Sequence, residues 1–336
     1  MIVVAGHLCL DIIPELHSEA AMRPGTLVEV GPAHISTGGA VSNVGIALHK
    51  LGADVRLVGK VGDDAFGKLV LDRLNSFGLG DESHIDAKSV TSYTVVISPP
   101  KTDRSFLQCP GCNDSFVSAN VSDDVLAGAK HLHFGYPTLM AAMRANGGAE
   151  LVALFQRAKN FGLSTSLDMT LPDQHSDQGK TDWSQLLTRV LPLVDFFMPS
   201  EEELTVMLPE VMVGLEELAR TCLQRGAGIV VIKRGTDGLF AQSGSGDRLS
   251  SIPTIAEPYE WSNQRLTQPI FPVEVVGTTG AGDTTIAGFL HAVTLGLSFA
   301  DCLKSGCAVG AFSVEGDDAV SGIQHWDAVT ARFFQN

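Results

Sequence analysis

Short apolar runs and longer amphipathic segments alternate regularly from residue 131 onward. The pattern predicts strands at 131–134, 163–168, 194–198 and 228–233, and helices at 149–160, 183–189, 200–207 and 215–225. Strands that alternate with helices in this way lie side by side in a parallel sheet, with helices covering both of its faces. The sequence therefore predicts an open α/β fold, in which ligands bind beyond the carboxyl ends of the strands.

The charge balance excludes several classes of partner. The 336 residues carry a formal net charge of −15, whereas binding to nucleic acid or to an anionic membrane requires clustered lysine and arginine. No apolar run reaches the length of a membrane span. Residues 1–11 are apolar but lack a basic flank and a cleavage site, so we interpret them as a buried strand rather than a signal peptide. We expect no nucleic acid and no membrane among the partners.

The six cysteines are scattered along the chain. Only Cys109 and Cys112 have suggestive spacing, and a tetrahedral zinc site would need a second such pair. A redox pair would normally open a helix, whereas this one lies in a turn rich in proline and glycine. The set is typical of reduced cysteines in a cytoplasmic protein.

The segment 275–297 is predicted to form a strand, a glycine turn and a helix. Its β-branched start suits a strand, and Ile286, Phe289 and Leu290 lie on one helical stripe. A helix that opens this way presents unpaired backbone N–H groups to an anion, and Gly280 and Gly282 leave those groups accessible.

Asp283 follows this turn and has two interpretations. A carboxylate cannot be a phosphate ligand, because the two charges repel. It suits a general base that deprotonates a hydroxyl beside a phosphoryl group. It equally suits a first-turn acid that the helix dipole stabilises.

A second glycine turn and an isolated acid flank the segment 12–35. Gly38, Gly39 and Asn43 open a helix, so they are compatible either with a ligand close to the backbone or with an ordinary capped turn. Asp11 follows the predicted strand 2–5, so it is either a ligand group at the sheet edge or a solvated loop acid.

Two regions near the start are predicted to form a separate small sheet. Residues 12–35 are broken by prolines and glycines, which favours short strands or a flap. The β-rich runs 92–98 and 104–109 are joined by a proline turn, which is typical of a hairpin. A sheet built from about 12–35 and 90–110 would act as a lid over the ligand edge and exclude water.

Two later motifs contain polar groups with alternative roles. Ser200 and Glu203 form a capping box, and Glu203 could also order Mg²⁺ through water. Lys233, with Gly235 and Gly238, either faces a phosphate or lies in an ordinary hairpin. The small residues of the predicted helix 299–312 suit either a flat ring or a close helix neighbour. The segment 253–272 has no predicted role.

The familiar nucleotide motifs do not fit. A P-loop requires Lys after its last glycine, where this chain has Asp283. No GxGxxG follows the first strand, which excludes the dinucleotide-binding fingerprint. A kinase without these loops remains, in which a glycine turn stabilises the transferred phosphoryl group and an aspartate deprotonates the acceptor.

Four motifs, taken together, resemble those of the ribokinase-like, pfkB-type family of carbohydrate kinases. The similarity extends over essentially the whole chain, and the joint occurrence is specific where no single motif would be. The matching segments are 38–43, GGAVSN; 58–67, VGKVGDDAFG; 110–114, PGCND; and 277–283, GTTGAGD.

The resemblance implies one domain over 1–336 with a three-layer α/β/α fold, a mostly parallel central sheet and a small β-sheet lid. It implies transfer of the γ-phosphoryl group of ATP to a sugar hydroxyl with Mg²⁺. The implied roles are Asp283 as base, Gly280, Ala281 and Gly282 as anion hole, Asp11, Gly38, Gly39 and Asn43 at the sugar, Ser200, Lys233, Gly235, Gly238 and Cys307 at the nucleotide, and Glu203 at the metal through water.

Three departures from the family pattern modify these expectations. Gly277 replaces an aspartate that helps many relatives build a monovalent-cation site, so we expect no selective activation by K⁺. Ser200 replaces an asparagine of the magnesium-water network, and Thr170 stands where many relatives have asparagine.

Alternatives to a sugar kinase stay open. One is a kinase of a nucleoside or of a sugar acid, the latter with Arg104 as the acceptor-site cation. Another is a catalytically weak homologue that binds sugar or nucleotide for regulation. The free edges of the lid sheet also make a homodimer possible.

Overall fold

The computed structural model describes residues 1–17, 24–25, 27–80, 83–100, 105–212 and 214–334. The strands are β1 Ile2–Gly6, β2 Cys9–Pro14, β3 Ala33–Gly38, β4 Val55–Val58, β5 Lys60–Gly62, β6 His84–Asp86, β7 Tyr93–Ile97, β8 Ser105–Cys109, β9 His131–Gly135, β10 Ser164–Asp168, β11 Phe196–Phe197, β12 Ile229–Lys233, β13 Leu239–Ser243 and β14 Arg265–Gln268. The α-helices are α1 Ala40–Lys50, α2 Ala65–Asn75, α3 Asp123–Ala127, α4 Ala141–Asn160 (interrupted at 145–148), α5 Trp183–Val190, α6 Glu201–Met207, α7 Gly214–Gln224, α8 Gly246–Leu249, α9 Ala281–Thr294, α10 Phe299–Val314 and α11 Trp326–Phe333.

The central sheet has the strand order β14-β13-β12-β11-β10-β9-β1-β4. Pairing is parallel from β4 through β12 and antiparallel between β12, β13 and β14. The predicted mostly parallel sheet is therefore confirmed. Its parallel strands all end at the same edge, which places the residues that follow them close together.

Two hydrophobic cores cover the two faces of this sheet. Successive strand residues point to opposite faces, and Val4 and Val231 belong to one core while Val3 and Val230 belong to the other. Helices α1, α2, α9, α10 and α11 contribute to the first core, and α3 to α7 contribute to the second. The result is the predicted three-layer α/β/α arrangement.

A second, four-stranded sheet has the order β3-β2-β7-β8. The predicted hairpin is present, since β7 and β8 pair in antiparallel register from Tyr93 opposite Cys109 to Ile97 opposite Ser105. Strand β2 follows β1 directly and pairs with β3 and β7. Parts of the segments 12–35 and 90–110 lie outside the described residues.

The strand predicted at the start of 275–297 is wrong. Val275 and Val276 are 59% and 58% exposed and belong to no strand. The backbone N–H groups of Val276 and Gly277 instead donate to the carbonyl oxygen of Val314, at the end of α10. This segment therefore runs along the helix layer, with Val275 lining a cleft.

The segment 253–272 contains an edge strand that the sequence did not predict. Strand β14 pairs with β13, and Trp261 stacks on Phe299 with a ring-centroid distance of 4.9 Å. The segment thus closes one end of the central sheet and one end of α10.

Within the described ranges, no helix combines the length and apolar character of a bilayer span.

Candidate active site

The carboxyl ends of the parallel strands bring four polar side chains to one edge of the central sheet. His7 and Tyr136 come directly after β1 and β9, and Asp168 and Lys233 are the last residues of β10 and β12. The first turn of α9 faces them with Asp283. The site therefore lies where an open α/β sheet binds its ligands.

Asp283 is almost completely buried, with 2% of its surface exposed. Asn43 Nδ2 donates to its Oδ2 at 2.9 Å, and the Tyr136 hydroxyl lies 2.8 Å from both carboxylate oxygens. Burial raises the pKa of Asp283, while Asn43, Lys233 and Tyr136 act in the opposite direction. The side chain is thus a carboxylate with a raised pKa, held by two donors from separate elements.

The turn before α9 has the geometry of an anion site. Gly280 has a left-handed backbone, with φ 72°, and precedes the first residue of the helix, Ala281. The first N–H groups of a helix have no partner within it, and Gly282 presents no side chain in front of them. A Cβ at Gly282 would lie 3.7 Å from Lys233 Nζ, so an ammonium stands beside this turn.

The second glycine turn shapes the other side of Asp283. Gly39 has φ 86° and precedes α1, and a Cβ there would lie 2.5 Å from the carbonyl oxygen of His7. A Cβ at Gly38 would lie 2.2 Å from Asp11 Oδ2. These glycines let α1 begin close to the sheet edge, which brings Asn43 within reach of Asp283.

Asp11 lies in β2 beside this turn. Burial raises its pKa to about 6, and the charge of Asp283 acts in the same direction, while a hydrogen bond from Cys9 Sγ at 3.3 Å opposes it. Asp11, Gly38, Gly39 and Asn43, which the sequence assigned to one ligand, are therefore close neighbours of the proposed base.

Lys233 and Asp168 form a buried ion pair. Lys233 Nζ donates to Asp168 Oδ1 at 2.5 Å, and Asp168 is fully buried. Burial alone would lower the pKa of Lys233, but Asp168, Glu203 and Asp283 outweigh it and raise that pKa. The ammonium therefore stays charged between the glycine turn and the sheet edge.

A cleft of about 420 Å³ opens on the outer side of the glycine turn. Its walls include Gly235, Gly238, Ala281, Gly282 and Cys307, which the sequence assigned to the nucleotide site or the anion hole. It is also lined by residues that sequence reasoning missed, namely Arg234, Phe271, Val275, Thr285 and Val314.

The small residues of α10 let a neighbouring helix approach closely, and some of them also line the cleft. Gly306 and Gly310 approach α9, since Cβ atoms there would lie 3.0 Å from the Thr285 carbonyl oxygen and 2.6 Å from Thr285 Oγ1. Cys307, Gly310 and Ala311 line the cleft. The same helix thus packs tightly and offers a smooth wall to a ligand.

The capping box predicted at α6 is present. Ser200 Oγ accepts from the Glu203 N–H at 3.2 Å, and Glu203 Oε2 accepts from the Ser200 N–H at 2.7 Å. Ser200 also forms an isolated parallel bridge with Lys233. Among the described residues, no three His, Cys, Asp or Glu side chains form a group that could hold a metal, so Glu203 would hold Mg²⁺ only with other oxygens.

Sequence reasoning missed Tyr136 and His7. His7 is buried, and Gln108 of β8 lies 3.1 Å from its Nε2, which links the second sheet to the end of β1. Burial lowers the pKa of His7 to about 4, so its ring is neutral and accepts this bond. Both residues lie two positions beyond the predicted strands 2–5 and 131–134, and this position was the available signal. Arg104, the cation considered for a sugar acid, lies outside the described residues.

Comparisons with known proteins agree with this arrangement. A profile described as "pfkB family carbohydrate kinase" matches residues 1–326. The chain is 25% identical to an uncharacterized sugar kinase of Archaeoglobus fulgidus, over 83% of this chain and 98% of that protein. It is 28% identical to a 5-dehydro-2-deoxygluconokinase of Clostridium perfringens, over 82% of this chain and 78% of that protein.

A solved structure extends the likeness to the fold. A ribokinase of Arabidopsis thaliana, in complex with ribose and ATP, matches with a TM-score of 0.79 and 21% sequence identity. The match covers 100% of this chain and 99% of that one. The predicted ribokinase-like fold is confirmed.

Proposed function

The chain belongs to the pfkB family of carbohydrate kinases, phosphotransferases with an alcohol group as acceptor, and we propose that it phosphorylates a small neutral sugar with ATP and Mg²⁺. The observation that carries the proposal is the position of Asp283. It is a buried carboxylate in the first turn of α9, one residue beyond a glycine turn that borders a cleft of nucleotide size. Its other neighbours are the polar groups at the sheet edge.

The donor side would take the nucleotide in the cleft behind this turn. Gly235, Gly238 and Cys307 would contact the base and ribose, because they line the cleft without bulky side chains. The N–H groups of Gly280, Ala281 and Gly282 would hold the transferred phosphoryl group at the positive end of the helix. Ser200 belongs to the same region through its bridge with Lys233.

Glu203 of α6 would help to hold Mg²⁺ through water. Mg²⁺ commonly binds one or two carboxylates together with substrate phosphates and water, and Glu203 lies close enough to Lys233 of the cleft to act on it electrostatically. Its charge contributes to the raised pKa of Lys233. The metal would neutralise charge on the phosphates, and Glu203 would orient its water ligands.

In the reaction one proton is transferred, one bond to the γ-phosphorus forms and another breaks. The acceptor hydroxyl gives its proton to Asp283, its oxygen forms a bond with the γ-phosphorus, and the bond from that phosphorus to the bridging oxygen breaks to release ADP. Burial supports this role, because a carboxylate with a raised pKa is a stronger base. Lys233 and the glycine turn stabilise the charge on the transferred group.

The acceptor site favours a neutral sugar. Asp11 and Asp283 would accept hydrogen bonds from sugar hydroxyls, and Gly38 and Gly39 leave room for the ring. Asn43 lies 2.9 Å from Asp283 through its amide nitrogen, so it would orient the base as well as contact the sugar. Asp11 and Asp283 would repel the carboxylate of a sugar acid.

A sugar acid is the second candidate, favoured by the relative named 5-dehydro-2-deoxygluconokinase. A coupled ADP-release screen over neutral sugars, sugar acids and nucleosides separates the two, with Asp283→Asn as the inactive reference. We expect turnover with a neutral sugar and a loss of about 10²- to 10⁴-fold in Asp283→Asn. A variant with wild-type turnover would contradict the assignment of the base, and turnover with sugar acids alone would favour the second candidate.

The second sheet would act as a lid over the acceptor, inserted from about 12–35 and 90–110 into a single domain over 1–336. Its edge strands are β3 and β8, and Ile35 and Leu107 on them are exposed. These edges would pair two copies of the chain. Light scattering of the wild type and of Leu107→Lys checks this homodimer.

All six cysteines are free, which supports the proposed cytoplasmic location.

A further inference from the structure

Tyr136 has a backbone conformation that side chains rarely adopt. Its φ of 63° and ψ of 43° are left-handed, and such strain persists only where the surroundings enforce it. Its N–H donates to the Asp168 carbonyl oxygen at 3.2 Å, and its own carbonyl accepts from the Leu139 N–H at 3.1 Å. Pro137 follows it directly. The chain thus holds this residue in one orientation at the end of β9.

That orientation aims the phenol at Asp283. The hydroxyl lies 2.8 Å from Oδ1 and 2.8 Å from Oδ2, so its single proton is shared between the two oxygens. Asn43, on α1, also donates to Oδ2, at 2.9 Å. Rotation of a carboxylate about its terminal bond is otherwise broad. Two donors on separate elements therefore fix the plane of the carboxylate.

A simpler explanation is that the hydroxyl only needs a partner inside the protein. One acceptor atom would be enough for that purpose, whereas the hydroxyl lies at the same distance, 2.8 Å, from both oxygens of Asp283. The strained backbone also contributes nothing to such a purpose. The geometry is explained better by a task at Asp283 itself.

We propose that Tyr136 is a positioning residue for Asp283: its hydroxyl fixes the carboxylate and keeps water from it until the acceptor arrives. The inference rests on the proposed function and deepens it. A carboxylate oxygen offers two acceptor positions, so positions remain for the acceptor hydroxyl while Tyr136 stays bound. The base would meet the acceptor already oriented.

The pH dependence of kcat/KM distinguishes a positioning role from a merely structural one, because a structural hydroxyl would not affect the pKa of the base. The acid limb of kcat/KM reports the pKa of the base in the free enzyme, and the Tyr136 hydrogen bond lowers that pKa. Removal of the hydroxyl should shift the limb to higher pH. The titratable and charged groups that interact with Asp283 are Cys9, Asp11, Tyr136, Asp168, Glu203 and Lys233, and the substitution leaves all except Tyr136 unchanged.

The test uses Tyr136→Phe in the full chain, which keeps the ring and removes only the hydroxyl. We expect kcat to fall about tenfold to a hundredfold, as for loss of a hydrogen bond to a charged group. KM for the acceptor should change little, because the hydroxyl acts through Asp283. ATP hydrolysis without acceptor should rise relative to transfer, because water gains access to the base.

The matched control is Tyr259→Phe, which removes an exposed phenol hydroxyl that lies 3.4 Å from Asp247. It should leave all of these measurements unchanged. Wild-type kcat together with an unshifted acid limb in Tyr136→Phe would overturn the proposal.

A second measurement tests the positioning role without any kinase activity. If no acceptor is ever phosphorylated, the proposed function fails, but this measurement still applies. Unfolding of wild type, Tyr136→Phe, Asp283→Asn and the double variant forms a cycle that measures the coupling of the two side chains. We expect coupling of about tenfold in the unfolding equilibrium constant, larger in neutral than in acidic buffer, since only the ionised carboxylate accepts two bonds. Absence of coupling would overturn the positioning role whatever the substrate.

Discussion

Lys233 Nζ lies 2.5 Å from Asp168 Oδ1, and the carboxylate of this pair is fully buried while 13% of the lysine side chain is exposed. The pair joins the ends of β12 and β10, on either side of the short strand β11. The exposed part of Lys233 faces the cleft beside Gly282. One ammonium therefore neutralises a buried acid and also serves the proposed phosphate site.

Lys233→Met should destabilise the protein strongly. Removal of one partner leaves the other buried charge uncompensated, which typically costs about 3–5 kcal/mol. The apparent affinity for ATP should fall as well, since the cleft loses its ammonium. Denaturant unfolding measures the first effect and the KM for ATP measures the second.

The control for this variant is Lys180→Met. Lys180 pairs with Asp177 at 2.7 Å, but both side chains are more than three-quarters exposed, and exposed pairs contribute about 0–1 kcal/mol. Its unfolding free energy should match that of the wild type. If Lys233→Met and Lys180→Met were equally stable, the buried Asp168 would not need the charge of Lys233.

Asp11→Asn should stabilise the fold and weaken sugar binding. Burial raises the pKa of Asp11 from 3.8 to about 6, so folding disfavours its charged form. This cost appears as pH rises from about 4 to about 6 and is complete above that range; at neutral pH it amounts to about 1–3 kcal/mol. Chemical denaturation and the acceptor KM, measured in the same buffer, check both effects.

Asp63→Asn provides the comparison for Asp11→Asn. Asp63 is exposed, so its replacement should change neither stability nor KM. If Asp11→Asn were less stable than wild type in neutral buffer but not in acid, the carboxylate would instead be a favourable ion in the folded state.

The sequence predicted those parts of the fold that depend on local pattern. Runs such as 228–233 show their strand character in the residues themselves, and the capping box of Ser200 and Glu203 spans four residues. The parallel order of the strands follows from their alternation with helices. For this reason the sheet edge and the glycine turn before Asp283 could be placed in advance.

Features that depend on distant contacts could not be placed in this way. The β-branched pair Val275 and Val276 has strand propensity, but the carbonyl of Val314 binds its backbone and holds it beside α10. The Tyr136 hydroxyl donates to a residue 147 positions away, from a left-handed backbone that no propensity favours for tyrosine. Only the folded chain shows these relationships.

Buried histidines should make the protein sensitive to acid. Burial, with the charge of Lys233, lowers the pKa of His133 to about 3, and its Nδ1 lies 2.8 Å from Ser166 Oγ. Below the ordinary histidine pKa of 6.5, the unfolded chain therefore binds a proton that the folded chain does not. This one residue should cost about 1.4 kcal/mol of stability for each pH unit below 6.5 until its folded pKa is reached.

His133→Leu tests this because it removes the titrating ring without adding a charge. The difference in unfolding free energy between the variant and the wild type should move in favour of the variant as pH falls. His175→Leu, at an exposed position, should show no such trend. A constant difference across the acid range would mean that His133 is not held neutral in the folded state.

Gly277 should make activity insensitive to an exchange of K⁺ for Na⁺. It stands where many relatives have the aspartate that helps to build a monovalent-cation site, so the chain lacks that carboxylate. A carboxylate could be accommodated here with a small adjustment, because a Cβ at Gly277 would lie 3.3 Å from the Gly316 carbonyl oxygen and 3.9 Å from that of Asp317.

Gly277→Asp should therefore gain a response to K⁺, since its carboxylate would join these carbonyl oxygens. Gly277→Ala adds bulk without charge and should not gain this response. Initial rates of ADP release at constant ionic strength measure the response, and strong selective activation of the wild type by K⁺ would show that the cation site forms without the aspartate.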